Sequence, residues 1–229
     1  MTILLLETAT QVCSVAMLQD RHIVASRESD EPNAHSSRLA VFVKELLAES
    51  PQRPDAVCVS SGPGSYTGLR IGVSSAKGLC YGLDIPLLAV PTLQSMAAWY
   101  YMQHPEYDGL VCPMIDARRL ECYTALFSRD AQLRDTAADI IEPGLYDQWL
   151  DNHPVVFIGD GAAKTQPLLG THRNALYDSS FVVNAAGMSL LAEQKLKAGD
   201  TEDVAYFEPF YLKDFVAKKS EVHGLRTKQ

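Results

Sequence analysis

The stretch Ser60-Ser61-Gly62-Pro63-Gly64-Ser65-Tyr66-Thr67-Gly68-Leu69-Arg70 decides the fold of this chain. It follows the apolar run Ala56-Val57-Cys58-Val59, which is typical of a buried β-strand, and it leads into a helical pattern over residues 67–82. Glycines between a strand and a helix let the backbone approach a ligand or another backbone closely. The turn has neither the lysine of a Walker loop nor the third-glycine spacing of a dinucleotide-binding loop, so a generic phosphate loop is the weaker interpretation.

Small residues recur along the helix that follows. Gly68, Gly72 and Ala76 are spaced by four and therefore share one helix face. A face without side-chain bulk permits close contact with another element. Two interpretations fit this pattern: an internal helix that lies tightly on a sheet, or a docking helix for another subunit.

Composition excludes several classes of function. The chain has 229 residues, 47% of them hydrophobic, and a formal net charge of −8. That charge argues against broad direct contact with a polyphosphate backbone, so contact with RNA is expected only through a partner. No apolar run reaches the ~18 residues of a membrane span, and the first residues carry no basic region typical of a secretory signal. The five cysteines show no CxxC spacing, which predicts buried, reduced thiols and a cytoplasmic protein.

The first half of the chain reads as a strand-rich unit with helices. A hairpin is predicted over residues 3–8 and 12–18, with a third strand over 22–27. An amphipathic helix over 36–48 carries one apolar stripe. Strand 56–60, helix 67–82, strand 84–90 and helix 92–103 follow in that order.

The second half repeats this pattern. A hairpin over 110–116 and 122–127 is followed by a weaker strand at 139–141, a short helix at 144–150, a glycine-ending strand at 155–162 and a helix over 185–198. The repetition predicts a duplicated α/β fold with mixed sheets flanked by helices. We predict an N-terminal lobe at 1–105 that carries the partner-binding helices, a C-terminal lobe at 106–215, and a disordered tail at 216–229.

Five motifs carry a family resemblance that spans residues 3 to about 213. They are LLLETATQVCSVAML (4–18), SSGPGSYTGLRIGVSSAKGLCYGLDIPLLAVPTL (60–93), IDARRLECYTALF (115–127), GDGA (159–162) and PFYLK (209–213). In this order they resemble the TsaB (YeaZ) family. The resemblance implies two RNase H-like lobes of the actin-like ATPase (ASKHA) superfamily. It also implies a part in making threonylcarbamoyladenosine, the modified adenosine beside the anticodon of tRNA.

The resemblance further implies a non-catalytic subunit that binds and activates the TsaD transferase together with the ATPase TsaE. TsaD-like paralogues carry a metal-binding HxxxH helix where this chain has Pro91-Thr92-Leu93-Gln94-Ser95-Met96, and the six histidines are scattered without ligand spacing. We therefore expect no metal or cofactor held tightly by this chain, with ATP and metal on the partner subunits.

A vestigial nucleotide cleft is expected between the lobes. Its residues would be Glu7, Thr8, Thr10, Asp116, Gly159, Asp160 and Gly161. Family members usually have an aspartate where this chain has Glu7, which weakens the assignment of a nucleotide site. The alternative hypothesis is an independent nucleotide-dependent enzyme, such as a small-metabolite kinase or a peptidase. It rests on the glycine turns and on Thr8, Thr10, Asp116 and Asp160 around a cleft.

The partner interface is predicted on the two helices at 36–48 and 67–82, which would meet a matching helix pair of TsaD in a four-helix bundle. The same face would support a homodimer when the partner is absent. The interface residues would be Leu39, Phe42, Val43, Leu46, Gly68, Leu69, Gly72, Ser75, Ala76 and Leu79.

Overall fold

The structure, a computed structural model, describes residues 1–213, and the predicted tail at 216–229 lies outside the described residues. Its first sheet has the strand order β3-β2-β1-β4-β5. The strands are β1 (Thr2–Glu7), β2 (Cys13–Gln19), β3 (His22–Ser29), β4 (Ala56–Ser60) and β5 (Leu87–Val90). The helices of the same half are α1 (Ala34–Ser37), α2 (Leu39–Glu49), α3 (Tyr66–Leu83) and α4 (Thr92–Gln103).

The second sheet repeats the first. Read from the edge with the antiparallel strands, its order is β8-β7-β6-β9-β10. The elements are β6 (Leu110–Asp116), β7 (Glu121–Phe127), β8 (Gln132–Ile140), α5 (Asp147–Leu150), β9 (Val155–Ile158), α6 (Gln166–Leu169), β10 (Ala175–Asp178) and α7 (Ser189–Ala198). In both sheets the first strand is central, antiparallel to the second and parallel to the fourth. This repetition confirms the predicted pair of RNase H-like lobes. The sequence pattern did not predict strand β10 or helix α6, and β8 is much longer than the predicted strand at 139–141.

Strand β1 is buried along its whole length because both faces of its sheet are covered. Leu4 and Leu6 point into a core shared with α2 and α3. Ile3 and Leu5 point into a core shared with α7 and with the 3₁₀ turn at Ala185–Met188, which we call the crossing turn. A continuous apolar run is the expected signature of a strand covered on both faces.

The two lobes exchange helices across the predicted boundary. Helix α4, placed in the N-terminal lobe by sequence, packs on the second sheet through Leu93 and Met96. Helix α7, placed in the C-terminal lobe, packs on the first sheet through Ala192. The predicted boundary near residue 105 lies between the strands of the two sheets, but α4 and α7 each pack on the sheet of the other lobe. Helical periodicity marks an apolar face and carries no information about which sheet covers it.

The small-residue face of α3 is an internal contact, so the prediction that it is free for a partner is wrong. Gly68, Leu69, Gly72 and Ala76 are all buried. A Cβ atom at Gly68 would overlap the carbonyl oxygen of Thr8, and one at Gly72 would overlap the Thr8 hydroxyl. The glycines let α3 lie directly on the end of β1.

The apolar stripe of α2 is likewise internal. Its four predicted interface residues belong to the core between the helices and the first sheet: Leu39, Phe42, Val43 and Leu46. On α3, Ser75 and Leu79 are half-buried. Most of the residues predicted at the interface therefore pack inside the first lobe instead of facing a partner.

Residues 200–213 form a strap that returns over the first lobe. Glu202 N–H donates to the Leu87 carbonyl, and Phe210 N–H donates to the Ser61 carbonyl, both at 2.8 Å. The Lys77 ammonium of α3 donates to the Ala205 and Phe207 carbonyls at 3.0 Å. Lys77 therefore fixes the strap to the outer side of α3.

All five cysteines are buried and free, as predicted. Burial raises the pKa of the Cys13, Cys80 and Cys122 thiols to about 11, and the pKa values of Cys58 and Cys112 are also raised. A thiol-reactive reagent needs an accessible thiolate. We expect Ellman's reagent to modify no cysteine in the native protein and all five in denaturant. Rapid reaction of a native thiol at neutral pH would contradict the structure.

No helix among residues 1–213 has both the length and the apolar character required to cross a membrane.

Candidate functional site

A cleft of about 650 Å³ opens between the two lobes. The first lobe contributes the turn between β1 and β2 and the N-terminal end of α3. The second lobe contributes the end of β6 and the loop after β9, and the strap contributes its last residues. A smaller adjoining region of about 390 Å³ shares Thr10, Gln11 and Asp160 with it.

The first-lobe wall is held by the glycine block. Ser65 N–H donates to the Ala9 carbonyl at 2.6 Å, and the Ser65 hydroxyl accepts from Gly68 N–H at 3.2 Å at the start of α3. A Cβ atom at Gly64 would overlap Ala9. The backbone around Ala9 is therefore occupied by contacts within the lobe.

The second-lobe wall carries two carboxylates. Asp116 ends β6, forms an ion pair with Lys164 and accepts a hydrogen bond from Arg118 N–H at 2.7 Å. Asp160 accepts from Asp116 N–H at 2.9 Å. Burial alone would raise the pKa of Asp116, but Lys164 and the Arg118 amide outweigh it and hold the pKa below its usual value. Both carboxylates are thus bonded within the lobe.

Aromatic and basic side chains surround the mouth of the cleft. The rings of Tyr66 and Tyr211 lie 4.6 Å apart, and the Arg70 guanidinium lies 4.7 Å from the Tyr66 ring centre. Lys213 forms an ion pair with Glu121 of β7, so the strap joins the two lobes at this point. Tyr211 and Lys213 belong to the PFYLK motif, which is the sequence signal for this part of the site.

His35 of α1 also lines the cleft. Partial burial lowers the pKa of His35, and its buried Nε2 atom has no hydrogen-bond partner among the described residues. The scattered spacing of the six histidines did not mark this residue as part of the cleft.

Glu7 lies behind the cleft rather than in it. Its side chain is completely buried, and its Oε1 atom accepts from Ala9 N–H at 2.7 Å. The Oε2 atom has no hydrogen-bond partner in the described part of the chain. Burial raises the pKa of Glu7 from its ordinary 4.5 to about 7, although the Ala9 amide and the Ser60 hydroxyl oppose the shift.

The substitution Glu7→Gln is expected to stabilise the protein above neutral pH. A carboxyl whose folded-state pKa is raised contributes its full stability below pH 4.5 and loses it as pH rises through about 7. A shift of this size corresponds to ~3 kcal/mol. Urea unfolding at about pH 5 and about pH 8 should show the gain only at the higher pH. Equal effects at both values would show that Glu7 is not a buried acid.

The structure brings together only part of the predicted cleft. Thr10, Asp116, Gly159 and Asp160 line it. Glu7 and Thr8 are completely buried behind the first wall, and Gly161 is buried against the end of β6. The assignment of these last three residues to the cleft is therefore wrong. These residues do lie at the ends of strands β1 and β9, which border the cleft. However, the alternation of side chains along a strand and the close packing around them direct these residues into the protein interior.

The outer face of α3 presents a second candidate surface. Arg70, Ser74, Gly78 and Gly82 are exposed, and a Cβ atom at Gly78 or Gly82 would meet no other atom within 4 Å. Tyr81 lies on this face with 86% of its surface exposed. Tyr206, held in the strap that Lys77 fixes to α3, is 83% exposed.

Comparison with known proteins identifies the family. Residues 28–147 match the family model described as TsaD, tRNA N6-adenosine threonylcarbamoyltransferase. The chain is 31% identical to the tRNA threonylcarbamoyladenosine biosynthesis protein TsaB of Bacillus subtilis (strain 168), covering 93% of this chain and 94% of that protein. It is 32% identical to TsaB of Escherichia coli (strain K12), covering 96% and 97%.

Solved structures agree with the sequence comparison. The structure of YeaZ from Pseudomonas aeruginosa is 28% identical, with a TM-score of 0.81, and covers 92% of this chain and 99% of that chain. A second structure, of an uncharacterized protein with similarity to peptidase YEAZ from the same organism, is 27% identical with a TM-score of 0.82, covering 93% and 99%. Because sequence identity and fold agree over nearly the whole length, the chain belongs to the TsaB (YeaZ) family of tRNA threonylcarbamoyladenosine biosynthesis proteins.

Proposed function

We propose that this chain is a non-catalytic subunit that supports threonylcarbamoyl transfer to tRNA by binding and activating the TsaD transferase, together with the ATPase TsaE. The chain acts in the cytoplasm, contacts tRNA only through its partners and leaves ATP and metal to them. One observation carries the proposal: both carboxylates of the interlobe cleft are bonded to the chain's own groups, Asp116 to Lys164 and Asp160 to the Asp116 amide. A magnesium–nucleotide complex needs carboxylates that are free to face it.

The first turn of α4 supports the same conclusion. In TsaD-like paralogues this segment carries the metal-binding histidines, whereas here Thr92 is completely buried. The Thr92 hydroxyl lies 2.6 Å from the Ser60 hydroxyl and accepts from Gly62 N–H at 3.1 Å. Its polar group therefore joins α4 to the glycine block of the first lobe.

The docking surface that we propose for TsaD is the outer face of α3, with Tyr81 and the strap residue Tyr206. An exposed helix face with open glycines allows another helix to approach at roughly 8–10 Å between axes. Exposed aromatic side chains are common anchors in protein interfaces. This proposal replaces the buried face at Gly68, Gly72 and Ala76 with the opposite side of the same helix.

The same surface would pair two copies of the chain when TsaD is absent, because exposed apolar groups tend to find a substitute partner. Light scattering of the isolated chain over micromolar concentrations would show a dimer. The variant Tyr81→Glu would return the chain to a monomer. A dimer unaffected by this change would place the homodimer contact elsewhere.

Neutralising the cleft carboxylates should leave the function intact. We expect the double variant Asp116→Asn/Asp160→Asn to support threonylcarbamoyl transfer by TsaD and TsaE as well as the unmodified chain does. A non-catalytic subunit has no catalytic group to lose in the cleft. The assay measures modified tRNA with and without added chain, and a thermal melt of the variant controls for folding. A loss of transfer by a well-folded variant would contradict the proposal.

The alternative, an independent nucleotide-dependent enzyme, predicts the opposite results. The isolated chain would release phosphate from ATP, and the double variant would abolish that release. The cleft volume is sufficient for a nucleotide, which is the specific observation in its favour. Phosphate release by the purified chain alone therefore separates the two hypotheses.

A further inference from the structure

Glu7 pairs across the first sheet with Ser14, whose hydroxyl is bonded to the segment that passes between the lobes. Val183 packs in the core of the second lobe, whereas Ala185, at the start of the crossing turn, packs in the core of the first. The crossing turn lies tightly against α4 at Gly187, where a Cβ atom would lie 2.8 Å from the Ser95 carbonyl oxygen. This crossing joins the two sheets through the interior of the molecule.

A set of hydroxyl groups links Glu7 to both crossing elements. Ser60 lies beside the Glu7 carboxyl and is bonded to Thr92, the first residue of α4. Ser14 pairs with Glu7 in the sheet register, and its hydroxyl accepts from Ala185 N–H at 3.1 Å. The Glu7 carboxyl is therefore linked through Ser60 to the start of α4 and through Ser14 to the start of the crossing turn.

Among residues 1–213, no cationic group is paired with the Glu7 carboxyl. The titratable groups that act with it are Cys13 of β2 and Cys58 of β4, both thiols whose pKa values burial and Glu7 raise. The crossing turn and the first turn of α4 contribute the uncharged Ala185 and Thr92. Lys195 of α7 acts on Cys58, but its ammonium forms an ion pair with Asp200.

Glu7 is also bonded to the wall of the cleft. Its Oε1 atom accepts from Ala9 N–H, and the Ala9 carbonyl accepts from Ser65 N–H at the start of α3. Thr10, one residue further, lines both parts of the cleft. The carboxyl thus connects the lobe crossing to the β1–β2 turn.

We propose that the protonation state of Glu7 controls the crossing between the lobes. With a neutral carboxyl, the crossing turn and the β1–β2 turn stay packed as described. With a carboxylate, the two segments open and water reaches Oε2, because a buried charge without a cationic partner is far less stable than a hydrated one. In this chain the crossing turn and the β1–β2 turn therefore open as pH rises, without any partner or nucleotide.

Hydrogen exchange of the isolated full-length chain tests this proposal. Amide exchange in segments 8–12, 92–99 and 184–188 would be compared at about pH 5.5 and about pH 8.5, after correction for intrinsic chemistry. For a carboxyl with pKa 4.5 when open and about 7 when closed, linkage gives a roughly thirtyfold rise in the opening constant between these two values. Strand β9 serves as the internal reference and should show no such rise.

Two variants separate the proposal from a general effect of pH. Glu7→Gln, which has no charge to lose, should abolish the rise in all three segments. Glu142→Gln, at an exposed carboxylate of the second lobe, should retain it. A rise that persists in Glu7→Gln, or an unmodified chain in which the three segments follow β9, would overturn the proposal.

A second measurement does not depend on how any variant folds. Carbon-13 NMR of glutamate-labelled chain reports the titration of the Glu7 carboxyl in the unmodified protein. Titration near 7 that coincides with the change in exchange supports the proposal, and titration below 5 overturns it. Because neither experiment uses TsaD or tRNA, their outcome is separate from that of the proposed function.

Discussion

Gly72→Leu is expected to destabilise the folded chain by about 3 kcal/mol, because overpacking a tight contact typically costs ~1–3 kcal/mol and this one leaves no space. The added side chain would overlap the Thr8 hydroxyl at the end of β1, and its Cβ atom would lie 3.3 Å from Thr8 Cβ. Strand β1 is central in its sheet and buried on both faces, so it cannot move aside. For a chain of this size the melting temperature should fall by roughly 6–12 °C.

Gly78→Leu on the same helix is the matched control for this prediction. Gly78 is exposed and its outward side is open, so leucine replaces glycine in a helix interior without a clash. Leucine has a higher helix propensity than glycine, and this difference is worth ~0.5–1 kcal/mol of stability. The melting temperature should therefore stay unchanged or rise slightly. If both variants melt alike, the packing of α3 on β1 is not the one described.

The second large effect is expected in partner binding. Under the proposed function, Gly78→Leu should weaken TsaD binding by roughly five- to a hundredfold, since bulk at a close helix contact costs ~1–3 kcal/mol. Titration of TsaD with the variant by calorimetry measures this directly. The loss should be accompanied by a matching loss of tRNA modification at limiting concentrations.

Gln194→Leu provides the control for added apolar surface. This exposed residue of α7 lies on the opposite side of the first sheet from α3, so its substitution should leave TsaD affinity unchanged. Unchanged affinity in Gly78→Leu as well would exclude the outer face of α3 from the interface. A loss in both variants would indicate a general effect of exposed leucine rather than a docking site.

Local sequence patterns were sufficient to predict the duplicated lobe. The hairpin at β1–β2 and its repeat at β6–β7 follow from apolar runs separated by short polar turns, and these signals lie within a few residues of each other. The glycine block predicted a strand-to-helix turn with close backbone approach, which the contact between Ser65 and Ala9 confirms. The five cysteines were predicted as buried thiols because no pair has CxxC spacing, and all five are buried and free.

Strand β10 and the strap were harder to predict from the sequence. Strand β10 has only four residues, three of them half-buried and one exposed, so its sequence shows no clear alternation. The strap has no regular secondary structure of its own. Its position depends on bonds to distant groups such as Lys77 and Ser61, and no local pattern in residues 200–213 indicates those partners.

The sequence by itself determined that α3 has a face without side-chain bulk, and only the tertiary structure decided what lies against it. A helix face of glycine and alanine suits its own sheet and a foreign helix equally well, because both require the same close approach. Thr8 at the end of β1 occupies the face at Gly68 and Gly72, leaving Gly78 and Gly82 to the outside. In the same way, the sequence placed an acidic residue at the end of β1. The covering of both faces of that sheet decided that Glu7 is a buried acid rather than a group of the cleft, because a carboxyl without water or a cation favours its neutral form.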